Sequence, residues 1–137
     1  MSKKILYTGK TFTTGGRSGQ SHSDDKRLDI KLAPPGSPAA GTNPEQLFAA
    51  GWSACFIGAM THVAQELGLK LPADAEVAAE VDLGNAGEQG YFLQARLQVS
   101  LPGIDRDVAQ TIVERAHQTC PYSKATRGNI DVAITVI

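Results

Sequence analysis

A chain of 137 residues with 13 basic and 14 acidic side chains, formal charge -1, is long enough for one core and too short to divide usefully in two. Its charges are interspersed, without the basic stripe that neutralises phosphates, which argues against nucleic acid as a partner. MSKKILYTGK at the N-terminus has lysines but no apolar run behind them, and no other segment reads as apolar over a membrane-spanning length, so the cytoplasm is the expected compartment.

Residues 3 to 14, KKILYTGKTFTT, are rich in β-branched and aromatic types and run into Gly15 and Gly16, which predicts a strand and a turn. Leu28, Ile30 and Leu32 alternate with Asp29 and Lys31 and predict a second, antiparallel strand. Residues 33–41, APPGSPAAG, read as a loop because three prolines remove ladder donors. A helix over about 44–67 follows. Thr42 and Glu45 are spaced as a capping box, Asn43 with Pro44 is the alternative start, and Gly68 is the stop. From Leu47 to Val63 this helix carries no charged side chain, so it lacks a face for water. The chain offers one other helix, about residues 105–119, with Ala109, Ile112, Val113 and Ala116 on one stripe. One chain can hardly enclose the first helix, which predicts a homodimer. Ala50, Ala54 and Gly58, at every fourth position, would permit another element to approach closely.

Residues 76–83 and 91–101 alternate apolar and polar types and are joined by NAGEQG as a hairpin; a last strand, 130–137, follows Gly128 and Asn129. The expected order is β-β-α-β-β-α-β in one domain over 1–137, an α+β fold of helices against mainly antiparallel sheet.

The chemistry rests on two cysteines, 65 residues apart, a spacing that excludes CxxC motifs; in a reducing compartment such a pair is seldom a structural staple. Cys55 sits inside the apolar helix and reads equally as a small buried hydrophobe or as a reactive thiol. With an ordinary pKa near 8.5, only about 3% would be ionised at pH 7, and apolar burial lowers that further, so a reactive Cys55 needs a cation. His62, two helical turns on, is about 10 Å away and cannot be a base by direct contact. Arg17, in the glycine-rich TGGRSGQ, is the better candidate. A guanidinium about 4 Å from the sulfur would be worth roughly 4 kcal/mol at an effective dielectric of 20, which outweighs modest burial. The bland alternative is an exposed arginine on a hairpin turn.

Glu45 can simply cap its own helix; ten helical residues put it about 15 Å along the axis from Cys55, so the two share a site only if the helix breaks or a dimer brings them together. Cys120, before Pro121, ends the second helix, where a thiol is more mobile than inside one; it suits a resolving role or none. His117 reads as a surface residue of the last helical turn. A metal site of Cys55, Cys120, His62 and His117 matches no recognised ligand spacing. Asp24, Asp25, Asp105 and Asp107 lie where solvated charge or capping explains them.

GGRSG, GTNPEQLFAAGWSACFIGAM, LPGID and AHQTCPYSKATRGNIDV together resemble the organic hydroperoxide resistance (Ohr) subgroup of the OsmC/Ohr family, over nearly the whole chain. The resemblance implies antiparallel sheets packed around a long buried central helix in an intertwined homodimer. It implies a peroxidase acting on organic hydroperoxides without metal or other cofactor. In it Cys55 is the peroxidatic cysteine, Cys120 the resolving one, and Arg17 and Glu45 the pair that holds the thiolate. The Cys55–Cys120 disulfide would be reopened by an external dithiol, dihydrolipoamide on a lipoylated protein. Phe48, Trp52, Ile57 and Met60 surround Cys55 in sequence and are the expected lining of an apolar entry. Two other classes stay open: a cysteine hydrolase or acyl transferase, which needs a histidine in reach of Cys55, and a redox sensor or ligand-binding protein without a catalytic cycle.

Overall fold

The computed structural model describes residues 2–137, which group into two compact units, Met1–Pro44 and Glu45–Ile137. In the first, β1 (Thr11–Thr14), β2 (Gln20–Ser23) and β3 (Asp29–Lys31) form an antiparallel sheet in that order. β2 lies in a polar stretch with no strand signal, QSHS, and sequence reading missed it. β1 is shorter than expected: of residues 3–14 only 11–14 are strand, and Ile5, Leu6 and Tyr7 are exposed. A strand forms only where a partner supplies ladder bonds, and the β1 ladder reaches no further than its register with β2.

The turn from β1 to β2 is a 3-10 turn, Gly16–Ser18, in which Gly15 and Gly16 take positive φ. Gly19 closes it so tightly that a Cβ there would sit 1.8 Å from the Thr14 carbonyl oxygen, so this position requires glycine.

The second unit holds α1 (Pro44–Glu66), β4 (Glu76–Asn85), β5 (Tyr91–Ser100), α2 (Arg106–Thr119), α3 (Pro121–Thr126) and β6 (Asp131–Val136). α1 starts with Pro44 at its first position and ends as Gly68 adopts φ 72; Gly68 N–H bonds Gln65 O at 3.0 Å and Leu69 N–H bonds Ala64 O at 2.8 Å, a Schellman stop. The core stripe of α1 is Trp52, Phe56, Met60, Val63 and Ala64. It packs with Ala95, Leu97 and Val99 of β5, Ala109, Ile112, Val113 and Ala116 of α2, and Val136. Apolar rows cross the sheet in register: Val77, Val99 and Val136; Ala79, Leu97 and Ile134; Val81, Ala95 and Val132. On the other face Arg96 bonds Asp82 through both terminal nitrogens at 2.8 Å and Glu80 at 3.0 Å.

Two expectations need correction, and one detail of the sheet is new. The strand pairing is mainly antiparallel as expected, and among the described strands β6 alone pairs in parallel, with β5, because the chain between them crosses back through α2 and α3. Residues 121–126 form a further helix, α3, where one helix besides α1 was expected; Pro121 at its first position supplies a preset φ where no donor is needed. By length and composition α1 is apolar enough to cross a membrane, contrary to the reading that no segment is. Such a composition also fits a core helix, and the buried stripe of α1 lies in the core of its unit. Ala50, Ala54 and Gly58, on the opposite side, are exposed in the single chain.

Candidate active site

Cys55 lies one residue, about 100° of helical rotation, from Phe56 and so at the edge of the α1 core stripe; it is partly exposed where Phe56 is fully buried. Cys120 closes α2 and opens α3 with extended φ -61 and ψ 122, its N–H bonded to Ala116 O at 2.8 Å and its carbonyl accepting from Lys124 N at 2.9 Å. It is wholly buried, which corrects the expectation of a loose thiol. Both cysteines are free thiols, and their sulfurs are hydrogen-bonded to each other at 3.2 Å. Burial pushes the Cys55 thiol above its ordinary pKa; the hydrogen bond and repulsion from Cys120 add to this, and the backbone N–H of Tyr122 opposes it.

Around the thiols, Trp52 Nε1 donates to Ser123 Oγ at 3.1 Å, and both side chains are fully buried. Phe48 stacks on Trp52 at 5.5 Å between ring centroids and stands 6.3 Å from Tyr122. The Tyr122 ring lies over Gly51, where a Cβ would meet it at 3.4 Å. Arg127 Nη1 donates to His117 O at 2.7 Å and ties the residue after α3 to the last turn of α2. His117 is less exposed than expected, with Nδ1 buried and without a hydrogen-bond partner; burial and then the Arg127 charge hold its pKa low.

Arg17 is exposed in the β1–β2 turn of the first unit, presented by its glycines as expected. Glu45 stands in the first turn of α1, which runs unbroken to Glu66, so the two-part alternative reduces: within one chain Glu45 is about 15 Å along the helix from Cys55. His62 Nε2 is 3.9 Å from Glu66 Oε2, on the exposed side of α1. Among the described residues no group of three or more His, Cys, Asp or Glu side chains is placed to hold a metal ion.

Of the four expected entry residues, Phe48 lines a cleft of about 350 Å³ with Leu93, Tyr122, Ala125, Thr126, Asn129 and Ile130. Ile57 lines a different cleft, with Thr61, Gln65 and Leu69 among others. Trp52 and Met60 are fully buried, because the spacing 52, 56, 60 places them on the core stripe. Tyr122, Leu93 and Ile130, which line this cleft with Phe48, were not among the residues expected at the entry. The signal available was the adjacency of Tyr122 to Cys120 in CPYS.

The second unit is an α+β unit that sets two free thiols in contact at a joint between helices. The chain belongs to the OsmC family: the model described as OsmC-like protein matches residues 35–135. It is 49% identical over 138 aligned residues to the organic hydroperoxide resistance protein of Xanthomonas axonopodis pv. citri (strain 306), covering 98% of this chain and 96% of that one. Its fold is similar to the crystal structure of the organic hydroperoxide resistance protein OhrB of Bacillus subtilis, with TM-score 0.91, 43% identity, and coverage of 97% of this chain and 100% of that one. A structure from Elizabethkingia anophelis of the same name matches with TM-score 0.89 at 41% identity, covering 98% of each chain. These relatives and the long motifs set the chain in the Ohr branch of the family.

Proposed function

We propose that the protein is a two-cysteine thiol peroxidase that reduces alkyl and lipid hydroperoxides to alcohols. The observation that carries this reading is the 3.2 Å contact between the Cys55 and Cys120 sulfurs, one partly exposed and one buried. The names of the similar proteins support the substrate class. The Cys55 thiolate attacks the terminal oxygen of R–O–O–H; the O–O bond breaks, the leaving alkoxide takes a proton as alcohol, and Cys55 becomes a sulfenic acid. The Cys120 sulfur then displaces the sulfenic hydroxyl, which leaves with the Cys120 proton as water, and a disulfide remains. An external dithiol, which we take to be dihydrolipoamide on a lipoylated protein, reduces that bond and is itself oxidised to a disulfide. In this reading the protein needs no resident cofactor, and the reducing cytoplasm keeps both thiols available.

The surroundings of Cys55 in its own unit favour the neutral thiol, so the reactive form needs a cation. Arg17 is the residue assigned to stabilise the thiolate and the oxygen that gains charge, with Glu45 accepting hydrogen bonds from its guanidinium. Because α1 is unbroken between Glu45 and Cys55, we infer a homodimer in which the glutamate of one copy serves the cysteine of the other. The cleft between Phe48, Tyr122 and Ile130 is the assigned seat of the alkyl group.

The test adds one equivalent of an organic hydroperoxide to the reduced protein and reads mass and free thiols after denaturing alkylation. Loss of both thiols with a Cys55–Cys120 link is the expected result. Two unreacted thiols would overturn the reading. Ester or amide turnover that depends on His62 or His117 would favour the hydrolase class, although the hydrogen-bond partners of Cys55 here are Cys120 and the Tyr122 backbone.

A further inference from the structure

The Trp52–Ser123 hydrogen bond and the Cys55–Cys120 contact have the same spacing on both helices. Trp52 precedes Cys55 by three residues on α1, and Ser123 of α3 follows its N-cap Cys120 by three, so the two contacts, 3.1 Å and 3.2 Å long, are successive rungs between α1 and the start of α3. α3 has six residues, too few to hold itself as a helix without tertiary support. Its first turn is anchored in the core by Ser123, whose hydroxyl is fully buried, as is the indole it meets. Each of these polar atoms, taken from water, costs free energy unless it is bonded, and each is satisfied by the other only when α3 sits against α1. The bond that seats Ser123 therefore also seats Cys120, the residue that caps the start of the same helix.

We propose that Trp52 and Ser123 are positioning residues for disulfide formation: their hydrogen bond fixes the reach of Cys120 for Cys55 and so sets the rate of the second chemical step. The proposal deepens the two-cysteine reading and rests on it. In that step the Cys55 S–O bond breaks, the S–S bond to Cys120 forms, and the hydroxide leaves with the Cys120 proton as water. When α3 loosens, the sulfenic acid lives longer and a second hydroperoxide oxidises it to sulfinic acid, releasing another alcohol.

The experiment compares Trp52→Phe, Ser123→Ala and the double variant with the parent protein by rapid-quench mass measurement after organic hydroperoxide is added. In Ser123→Ala the formation of the sulfenic acid keeps its rate within about twofold, closure of the disulfide slows about tenfold, and the sulfinic fraction rises with peroxide concentration. Trp52→Phe slows closure similarly, and the double variant closes no more slowly than the slower single one, because both changes remove one bond. An unchanged closure rate in both single variants overturns the proposal. So does equal slowing of both steps, the mark of a general loss of structure. A second measurement avoids peroxide. In glutathione redox buffers the equilibrium constant for closing Cys55–Cys120 falls about tenfold in each variant, and an equal constant in all proteins overturns the positioning role. A parent protein that closes the bond in glutathione but ignores hydroperoxide would remove the peroxidase reading and leave the positioning role standing.

Discussion

Cys120 Sγ lies 3.2 Å from Cys55 Sγ, although 65 residues separate the two and only one of them is reached by solvent. α1 supplies the first sulfur from the edge of its core stripe, and the α2–α3 joint delivers the second from within the core. In the proposed reaction the exposed partner is the one that meets substrate, and the buried one is spared direct oxidation until the first has reacted.

This asymmetry predicts different fates for the single cysteine variants. Cys55→Ser should consume no hydroperoxide. Cys120→Ser should consume about one equivalent and stall as a sulfenic acid, which passes to sulfinic acid when peroxide is in excess. Mass spectrometry of the stalled protein checks this, and multiple turnovers with dithiol in Cys120→Ser would take the resolving role away from Cys120.

The raised pKa of Cys55 gives a sign for pH dependence. A thiol whose folded pKa lies above its unfolded value adds stability below the unfolded pKa, and that contribution is lost as pH rises through the folded one. Without the Arg17 charge this sign applies, so reduced Arg17→Ala should lose stability above about pH 8.5, the ordinary thiol range, by more than Arg17→Ala/Cys55→Ala does. In the parent the first peroxide step should accelerate with pH as the thiolate forms. Arg17→Ala should move that rate profile to higher pH, and a profile in the same place would remove Arg17 from thiolate stabilisation.

His117 behaves in the opposite sense. Its pKa is held below 6.5 by burial and then by Arg127, so the unfolded chain takes up a proton first as pH falls. The stability due to neutral His117 is complete above about pH 6.5 and is lost as pH falls through the lowered folded value. Urea midpoints of the parent should fall between about pH 7 and pH 5 more steeply than those of His117→Phe. Parallel declines would show that His117 is not the group responsible.

The cleft beside Tyr122 makes a selectivity prediction. Ile130→Ala removes part of its apolar wall, and at roughly 0.8 kcal/mol per buried methylene it should lower kcat/KM for long-chain hydroperoxides about tenfold. The rate with hydrogen peroxide, which has no alkyl group, should stay within about twofold. A uniform loss on both substrates would mean that Ile130 supports the fold rather than the substrate.

The ends of α1, the β4–β5 hairpin and the family were legible in the chain because they depend on local signals: Pro44 and Gly68 at the ends of α1, strict alternation from Tyr91 to Leu101, and long family motifs around the thiols. β2 was not legible, since QSHS forms a strand only because β1 and β3 flank it. Residues 3–10 erred the other way, having strand composition but no ladder partner in β2. Trp52 shows the same limit at the site: next to Cys55 in sequence it read as pocket lining, yet helical rotation turns it into the core, where it bonds Ser123. The sequence alone determined which groups could react, since thiol chemistry belongs to the residue. Only the tertiary structure decided that the two thiols meet and that Phe48, Tyr122 and Ile130 wall one cleft, because contacts across 65 residues depend on how α1, the sheet and the α2–α3 joint pack, and no local pattern records that packing.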